Sequence, residues 1–203
     1  MAASDPLNLY DFEALARSGM DPGAYDYFAG TADELSLGEN CRAFQRIVLR
    51  PRVMVNVSVV DASTRLLGRS LSFPVMLAPT ALNRLGHPDG EVAAARAAGA
   101  AGTTMVLSTT ASSTIKEVAA ESGDLWFQLY VYRDRAVTHD LVRRADASGC
   151  RALVLTVDLP LMGRRGRSGG STRAGSSAWR ARAGDGLERL SASRRHRCLA
   201  RRT

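Results

Sequence analysis

The sequence predicts an α/β fold in which short buried strands alternate with helices. Four runs of apolar and β-prone residues, at 75–78, 103–108, 126–130 and 152–156, lack the alternation of half-exposed strands. Such uninterrupted runs are typical of strands covered on both faces of a parallel sheet. A helical segment that ends near a glycine follows each of the first three runs. The sequence therefore indicates consecutive βα units joined by right-handed crossovers.

Polar residues follow or end each of these runs. They are Thr80, Ser108, Gln128 with Tyr130, and Thr156. In a (β/α) barrel the carboxyl ends of the strands build the active site, so we expect these side chains to share one edge of the sheet. A lone strand-end hydroxyl more often bonds only to nearby backbone. Gln128 is more informative, because an amide in a buried strand needs hydrogen-bond partners.

Three helices are predicted ahead of the sheet. Asn8 can cap the first, and Asp21 followed by Pro22 is a typical start for the second. Ser36 and Glu39 have capping-box spacing, which predicts the start of the third helix.

Short strands and further helix starts are predicted along the rest of the chain. The strands are expected at residues 53–60, 64–67 and 70–72, with Gly68 marking a turn. The helices between the buried runs are expected to begin at Pro88 with Asp89 and Glu91, at Ser112 with Ser113, and at Asp134.

The composition is that of a soluble globular protein with one sizeable core. The chain has 203 residues, of which 45% are apolar, and no run of about 18 apolar residues predicts a membrane span. The three cysteines are widely spaced, which favours neither a disulfide framework nor a metal site. The N-terminus lacks a basic-then-apolar signal pattern. These features predict a cytoplasmic protein with no membrane partner.

The last 41 residues differ from the rest of the chain. Residues 163–203 hold 12 arginines and two acids, and they contain no Val, Ile, Phe or Tyr. Low hydrophobicity with charge of one sign predicts disorder. We therefore expect one barrel-type domain over residues 1–165 and a disordered Arg/Gly/Ser/Ala-rich tail over 166–203. A GC-rich reading frame shifted by one base would give this composition, and we favour that origin over a functional tail.

An ordered series of motifs carries a resemblance to a known family. Between Leu9 and Arg165 the chain contains YDYFAGTADELSLGEN, FQRIVLRPR, APTA, HPDGE, WFQLYVYRDR and LTVDLPLMGRR. Together they resemble the FMN-dependent α-hydroxy acid oxidases and dehydrogenases. The resemblance implies a (β/α)8 TIM barrel that binds FMN and oxidises a small (S)-2-hydroxy acid to the 2-oxo acid. A full barrel takes about 250 residues, so we expect the first four βα units only.

The resemblance also implies roles for individual residues. Six are implied as FMN contacts, beside the isoalloxazine ring or at its polar edge: Pro79, Thr80, Ala81, Ser108, Gln128 and Thr156. Three resemble substrate contacts: Tyr27, Tyr130 and Arg165. Without the resemblance, the first three would be an ordinary loop, and Tyr27 could equally be a helix residue packed on the barrel.

Three functional groups of the family are not matched. They are a lysine at the flavin, a histidine that acts as the base, and an arginine that binds the substrate carboxylate. Lys116 lies in a predicted helix and His196 lies in the tail without a family motif, so neither is assigned a role. No catalytic residue and no metal site are predicted. We expect weak FMN binding or none, and little or no turnover, by this chain alone.

Two functions of other classes stay open. A half barrel with an exposed strand edge could be a flavin-free interaction module that associates with itself or with another half. The arginines of residues 164–202 could bind nucleic acid, although we expect no nucleic-acid partner. The family resemblance is also compatible with a homo-oligomer.

Overall fold

The computed structural model of the chain describes residues 6–30 and 34–158. These residues fall into two compact units, one that ends at Val59 and one that begins at Val60. Within the described ranges, no helix has both the length and the apolar character needed to cross a bilayer. Arg165 and the predicted tail at 166–203 lie outside the described residues, so the domain boundary at residue 165 stays a prediction.

The described part of the N-terminal unit contains three helices: α1 at Leu9–Gly19, α2 at Pro22–Ala29 and α3 at Leu35–Gln45. Asn8 caps α1 in a capping box with Asp11, and Asp21 caps α2 by accepting from the backbone of residues 23 and 24. Both predicted caps are therefore confirmed. The Tyr25 hydroxyl donates to Glu13 Oε1 at 3.0 Å, which joins α1 to α2.

Two predictions for the segment before the sheet are wrong. Helix α3 begins at Leu35 with Glu34 as its N-cap, so Ser36 lies inside the helix and caps nothing. Glu39 instead pairs with Arg42 at 2.7 Å, one turn further on. Residues 53–60 form no strand, and Met54 has a φ of 60° in the left-handed region. A strand needs a partner to satisfy its backbone, and no described residue pairs with this stretch.

The second unit begins with a hairpin that confirms two predicted strands. Strand β1 at Thr64–Leu66 pairs antiparallel with β2 at Arg69–Leu71. The two loop residues, Leu67 and Gly68, have φ values of 46° and 80°. Two consecutive positive φ angles are what a type I′ hairpin turn requires.

The sheet is parallel, as predicted. Strands β3 at Met105–Leu107, β4 at Leu125–Leu129 and β5 at Leu153–Leu155 lie in that order. They alternate with helices α4 at Gly90–Ala100, α5 at Ile115–Glu121 and α6 at Arg135–Ala147. The hydrophobic core lies between sheet and helices; its most buried apolar members are Ala95, Leu107, Val118, Phe127 and Ala145.

The first predicted strand of the sheet, at residues 75–78, is not a strand. Only Leu77 bridges to Met105: its N–H donates to Thr104 O at 3.0 Å, and its carbonyl accepts from Val106 N at 2.9 Å. Pro74 and Pro79 flank this stretch. Neither proline has an N–H to donate, so the ladder cannot extend far in either direction.

The predicted helix start is confirmed for α6 and is wrong for α5. Asp134 caps α6 as predicted. Thr114, and not Ser112 or Ser113, caps α5, in a capping box with Glu117. The two serine hydroxyls are directed elsewhere, because both donate to the buried carboxylate of Glu91.

Candidate functional site

The carboxyl ends of three strands meet around the side chain of Gln128, which is only 2% exposed. Its Oε1 accepts from Thr109 N at 3.1 Å and from Ser108 Oγ at 3.4 Å. Its Nε2 donates to Thr156 Oγ1 at 2.8 Å. Three predicted site residues, Ser108, Gln128 and Thr156, therefore lie in one hydrogen-bonded group. With Thr109 they are called the strand-end cluster.

Thr109 is a member of this cluster that the sequence analysis missed. Its hydroxyl donates to the carbonyl of Gln128 and accepts from Tyr130 N at 3.1 Å. The side chain is buried and ties the end of β3 to the end of β4. The run of three hydroxyl residues at 108–110 is the signal that could have indicated it.

The loop that carries Pro79, Thr80 and Ala81 lies beside the strand-end cluster. Leu82 N, directly after these three residues, donates to Thr110 O at 3.3 Å. Thr110 in turn contacts Ser108, with 3.0 Å between the two hydroxyl oxygens. Thr80 is exposed and its hydroxyl donates to Ala78 O at 3.3 Å. The loop is therefore held next to the cluster, and Pro79 and Thr80 are exposed.

The predicted substrate residues are spread over different parts of the chain. Tyr130 directly follows β4 and is half-buried. Burial, and secondarily the neighbouring Tyr130, raises the pKa of Tyr132. Tyr27 lies on α2 in the N-terminal unit, where its ring stands edge-on to Phe28 at 5.2 Å. Arg165 lies outside the described residues, so only Tyr130 can be placed with the cluster.

Glu91 is a buried carboxylate that the sequence analysis treated only as a helix start. It is fully buried in the first turn of α4. Burial by itself raises its pKa, but hydrogen bonds outweigh that effect and leave the pKa below the usual 4.5. The donors are the backbone of Ser112 and of Asn83 and the hydroxyl of Ser113.

A second buried carboxylate lies at the opposite end of the sheet. Asp124 directly precedes β4, and its Oδ2 accepts from Thr104 Oγ1 at 2.6 Å. Its Oδ1 lies 3.3 Å from Arg151 Nε and 3.8 Å from Arg69 Nε. These are the amino ends of the strands, where side chains of a barrel serve stability and not catalysis.

The strand-end cluster has the chemistry of a cofactor-binding surface. The polar edge of a flavin presents carbonyls and an N–H group side by side. Gln128 Nε2 carries two hydrogens, and within the described residues Thr156 takes one of them. The other hydrogen and the hydroxyls of Ser108 and Thr156 can meet such an edge, so the residues fit the group. No set of three or more His, Cys, Asp or Glu side chains in the described ranges could hold a metal.

Comparison with known proteins identifies the family. The chain matches the FMN-dependent dehydrogenase family over residues 16–184. It is 51% identical to glycolate oxidase 1 of Zea mays, over 78% of this chain and 43% of that protein. It is 45% identical to an L-lactate oxidase of Nostoc, over 82% of this chain and 47% of that protein.

The fold agrees with solved structures of the same class. A mandelate oxidase variant solved with (S)-mandelic acid superimposes with a TM-score of 0.78 at 40% identity, over 81% of this chain and 50% of that one. The chain thus spans about half the length of the relatives that it matches. Its βα units are part of a TIM-barrel oxidase fold, and the chain belongs to the FMN-dependent dehydrogenase family.

Proposed function

We propose that this chain supplies the flavin-edge part of an enzyme that oxidises a small (S)-2-hydroxy acid to the 2-oxo acid. The observation that supports this most is the buried amide of Gln128, bonded to hydroxyls from two neighbouring strands. FMN, when bound, accepts the two electrons that leave the substrate. Glycolate, lactate and mandelate are the substrates named for the similar proteins.

Within this proposal the strand-end cluster binds and orients the flavin. Thr109 N and Ser108 hold Gln128 Oε1, which fixes the direction in which the amide N–H groups point. A donor fixed before the ligand arrives stabilises developing charge without a cost of reorganisation during the reaction. The backbone of Pro79, Thr80 and Ala81 would flank the ring, and Tyr130 would stand on the substrate side.

The cluster itself cannot act as the base. Oxidation of the alcohol requires a group that accepts the hydroxyl proton or the α-proton. Ser108, Thr109, Gln128 and Thr156 have no side chain that titrates near neutral pH. The proton must therefore go to a group outside the cluster, while the cluster contributes binding and orientation.

Titration of the full chain with FMN, followed by quenching of flavin fluorescence, tests this proposal. Of the two outcomes expected from the sequence, weak binding or none, this proposal requires the first: weak but saturable binding that is lost in Gln128→Ala and weakened in Ser108→Ala. Thr104→Val is the matched control, because it removes an equally buried hydroxyl bond at the opposite end of the sheet. Absence of saturable binding, or equal weakening by the control, would refute the assignment.

A flavin-free interaction module is the second candidate, and the outer side chains of β5 favour it. Leu155 is 53% exposed and Leu153 is 47% exposed, although both belong to a strand of the sheet. Exposed apolar side chains in a row are typical of an association surface. Sedimentation velocity would show self-association that Leu155→Lys reduces and FMN leaves unchanged.

Three further predictions continue as proposals. They are a cytoplasmic location, a homo-oligomeric assembly of the family type, and the lack of a nucleic-acid partner. The last depends on residues 164–202, which lie outside the described ranges. Salt-dependent DNA binding would contradict it, since each phosphate contact adds to the salt dependence.

A further inference from the structure

We propose that Glu91 is a positioning residue that fixes the two loops on which the flavin-edge residues stand. The inference rests on the proposed function, because it gives that site its mechanical support. Glu91 is 0% exposed, and both oxygens of its carboxylate accept hydrogen bonds from Asn83, Ser112 and Ser113. Its effect must therefore pass through the residues that it binds.

The carboxylate of Glu91 joins two loops that are distant in sequence: residues 79–85, which end in a short 3-10 helix at Asn83–Leu85, and residues 108–114. Its Oε1 accepts from Asn83 N at 3.0 Å in the first loop and from Ser112 N at 2.7 Å in the second. Ser112 Oγ lies 2.9 Å and 3.0 Å from the two carboxylate oxygens, and Ser113 Oγ donates to Oε2 at 2.8 Å. Hydrogen bonds to an ionised acceptor are about twice as strong as neutral ones.

The two loops are then tied directly to each other and to the cluster. Arg84 N donates to Ser112 Oγ at 3.0 Å, and Leu82 N donates to Thr110 O at 3.3 Å. Thr110 N donates to Ser108 Oγ at 3.2 Å, and Ser108 contacts Gln128. Glu91 is therefore connected to the amide at the strand ends by hydrogen bonds and by the covalent backbone between Leu82 and Asn83.

Close packing leaves these loops little room to adjust. Gly90 has a φ of +45°, and a Cβ added there would lie 2.7 Å from Arg84 Cγ and 3.0 Å from Arg84 N. The first loop is thus pressed against the start of α4 at the position before Glu91. Loss of the carboxylate would free both loops at once, while the helix and the strands beneath would remain packed.

Hydrogen–deuterium exchange on the full chain without FMN tests the support directly. In Glu91→Gln we expect amide exchange at residues 82–84 and 108–112 to rise by about tenfold or more. Exchange in β4 should stay as in the wild type. Glu91→Ala should enlarge the effect; if it does not fold, the glutamine variant still decides. Glu121→Gln is the matched control, because its carboxylate pairs with Arg96 on the exposed side of α5.

FMN titration of the same variants separates positioning from stability. Under conditions in which all are folded, Glu91→Gln should raise the FMN dissociation constant by about tenfold, and Glu121→Gln should not change it. Unchanged loop exchange, or exchange that rises equally in β4, would overturn the proposal. If the wild type binds no FMN, the proposed function fails for this chain, while the exchange data still decide whether Glu91 holds the loops.

Discussion

Replacement of Gln128 by leucine is the sharpest perturbation of the strand-end cluster. Leucine has a similar size, so it leaves little cavity in the sheet. It removes both the acceptor and the donor of the amide. Ser108 Oγ loses an acceptor at 3.4 Å but keeps Thr110 Oγ1 as a partner. Two losses then matter: Thr109 N loses its acceptor at 3.1 Å, and Thr156 Oγ1 loses its donor at 2.8 Å.

The two losses differ in magnitude because their surroundings differ. Thr109 is 8% exposed, so its N–H is left buried without a partner. A buried donor without an acceptor costs about 1–3 kcal/mol. Thr156 is half-buried, and water can replace the bond that it loses. We therefore expect Gln128→Leu to lower the free energy of unfolding by about 1–3 kcal/mol. Ser108→Ala should lower it by less, because Gln128 Oε1 keeps the bond from Thr109 N, and Thr110, which also loses a bond to Ser108, is exposed to water.

Urea unfolding of both variants and the wild type measures this difference. The slope with denaturant should be the same for all three, so that a shift in midpoint reports stability alone. A leucine variant as stable as the wild type, or an alanine variant at Ser108 that is the less stable of the two, would refute the assignment of the buried Thr109 N–H as the main cost.

Three further outcomes are expected. Because the pKa of Glu91 is lowered in the folded state, its contribution to stability should be intact above pH 4.5 and lost as the pH falls further. In Glu91→Gln the urea midpoint should lack this part of its dependence on acid pH. Gly102→Ala should lower the melting temperature more than Gly149→Ala: both have positive φ, but only at Gly102 would a Cβ meet a neighbour, Ser72 Oγ at 2.2 Å. Anaerobic mixing of the chain and FMN with glycolate, lactate or mandelate should leave the flavin band unchanged, because the sequence offers no match for the family's base, and bleaching would contradict this.

The apolar runs of the sequence predicted three strands of the sheet because their signal is local. The runs around Val106, Phe127 and Val154 are apolar without alternation, and each became a parallel strand. Burial on both faces was predicted correctly for the first two, but in β5 Leu153 and Leu155 are 47% and 53% exposed. The run at 75–78 has the same composition but lies between two prolines. Its pairing was decided by which backbone groups could donate, and apolar patterning does not report that.

Three predicted helix caps are confirmed by the structure. Asn8, Asp21 and Asp134 bond to the first turn of the helix that follows each of them. Ser112 and Ser113 look equally suitable in the sequence, yet their hydroxyls are taken by Glu91, 21 and 22 residues away. A local rule cannot foresee a partner that only the fold brings near.

The sequence alone determined the family, the βα rhythm and the residue types at the strand ends, because motif order and hydrophobic patterning are properties of the chain. The tertiary structure decided which of those residues meet. It joined Ser108, Gln128 and Thr156 across three strands, added Thr109, and placed Glu91 beneath two loops. Hydrogen bonds between residues about 20 to 28 positions apart depend on strand register and crossover geometry, which no single stretch of sequence contains.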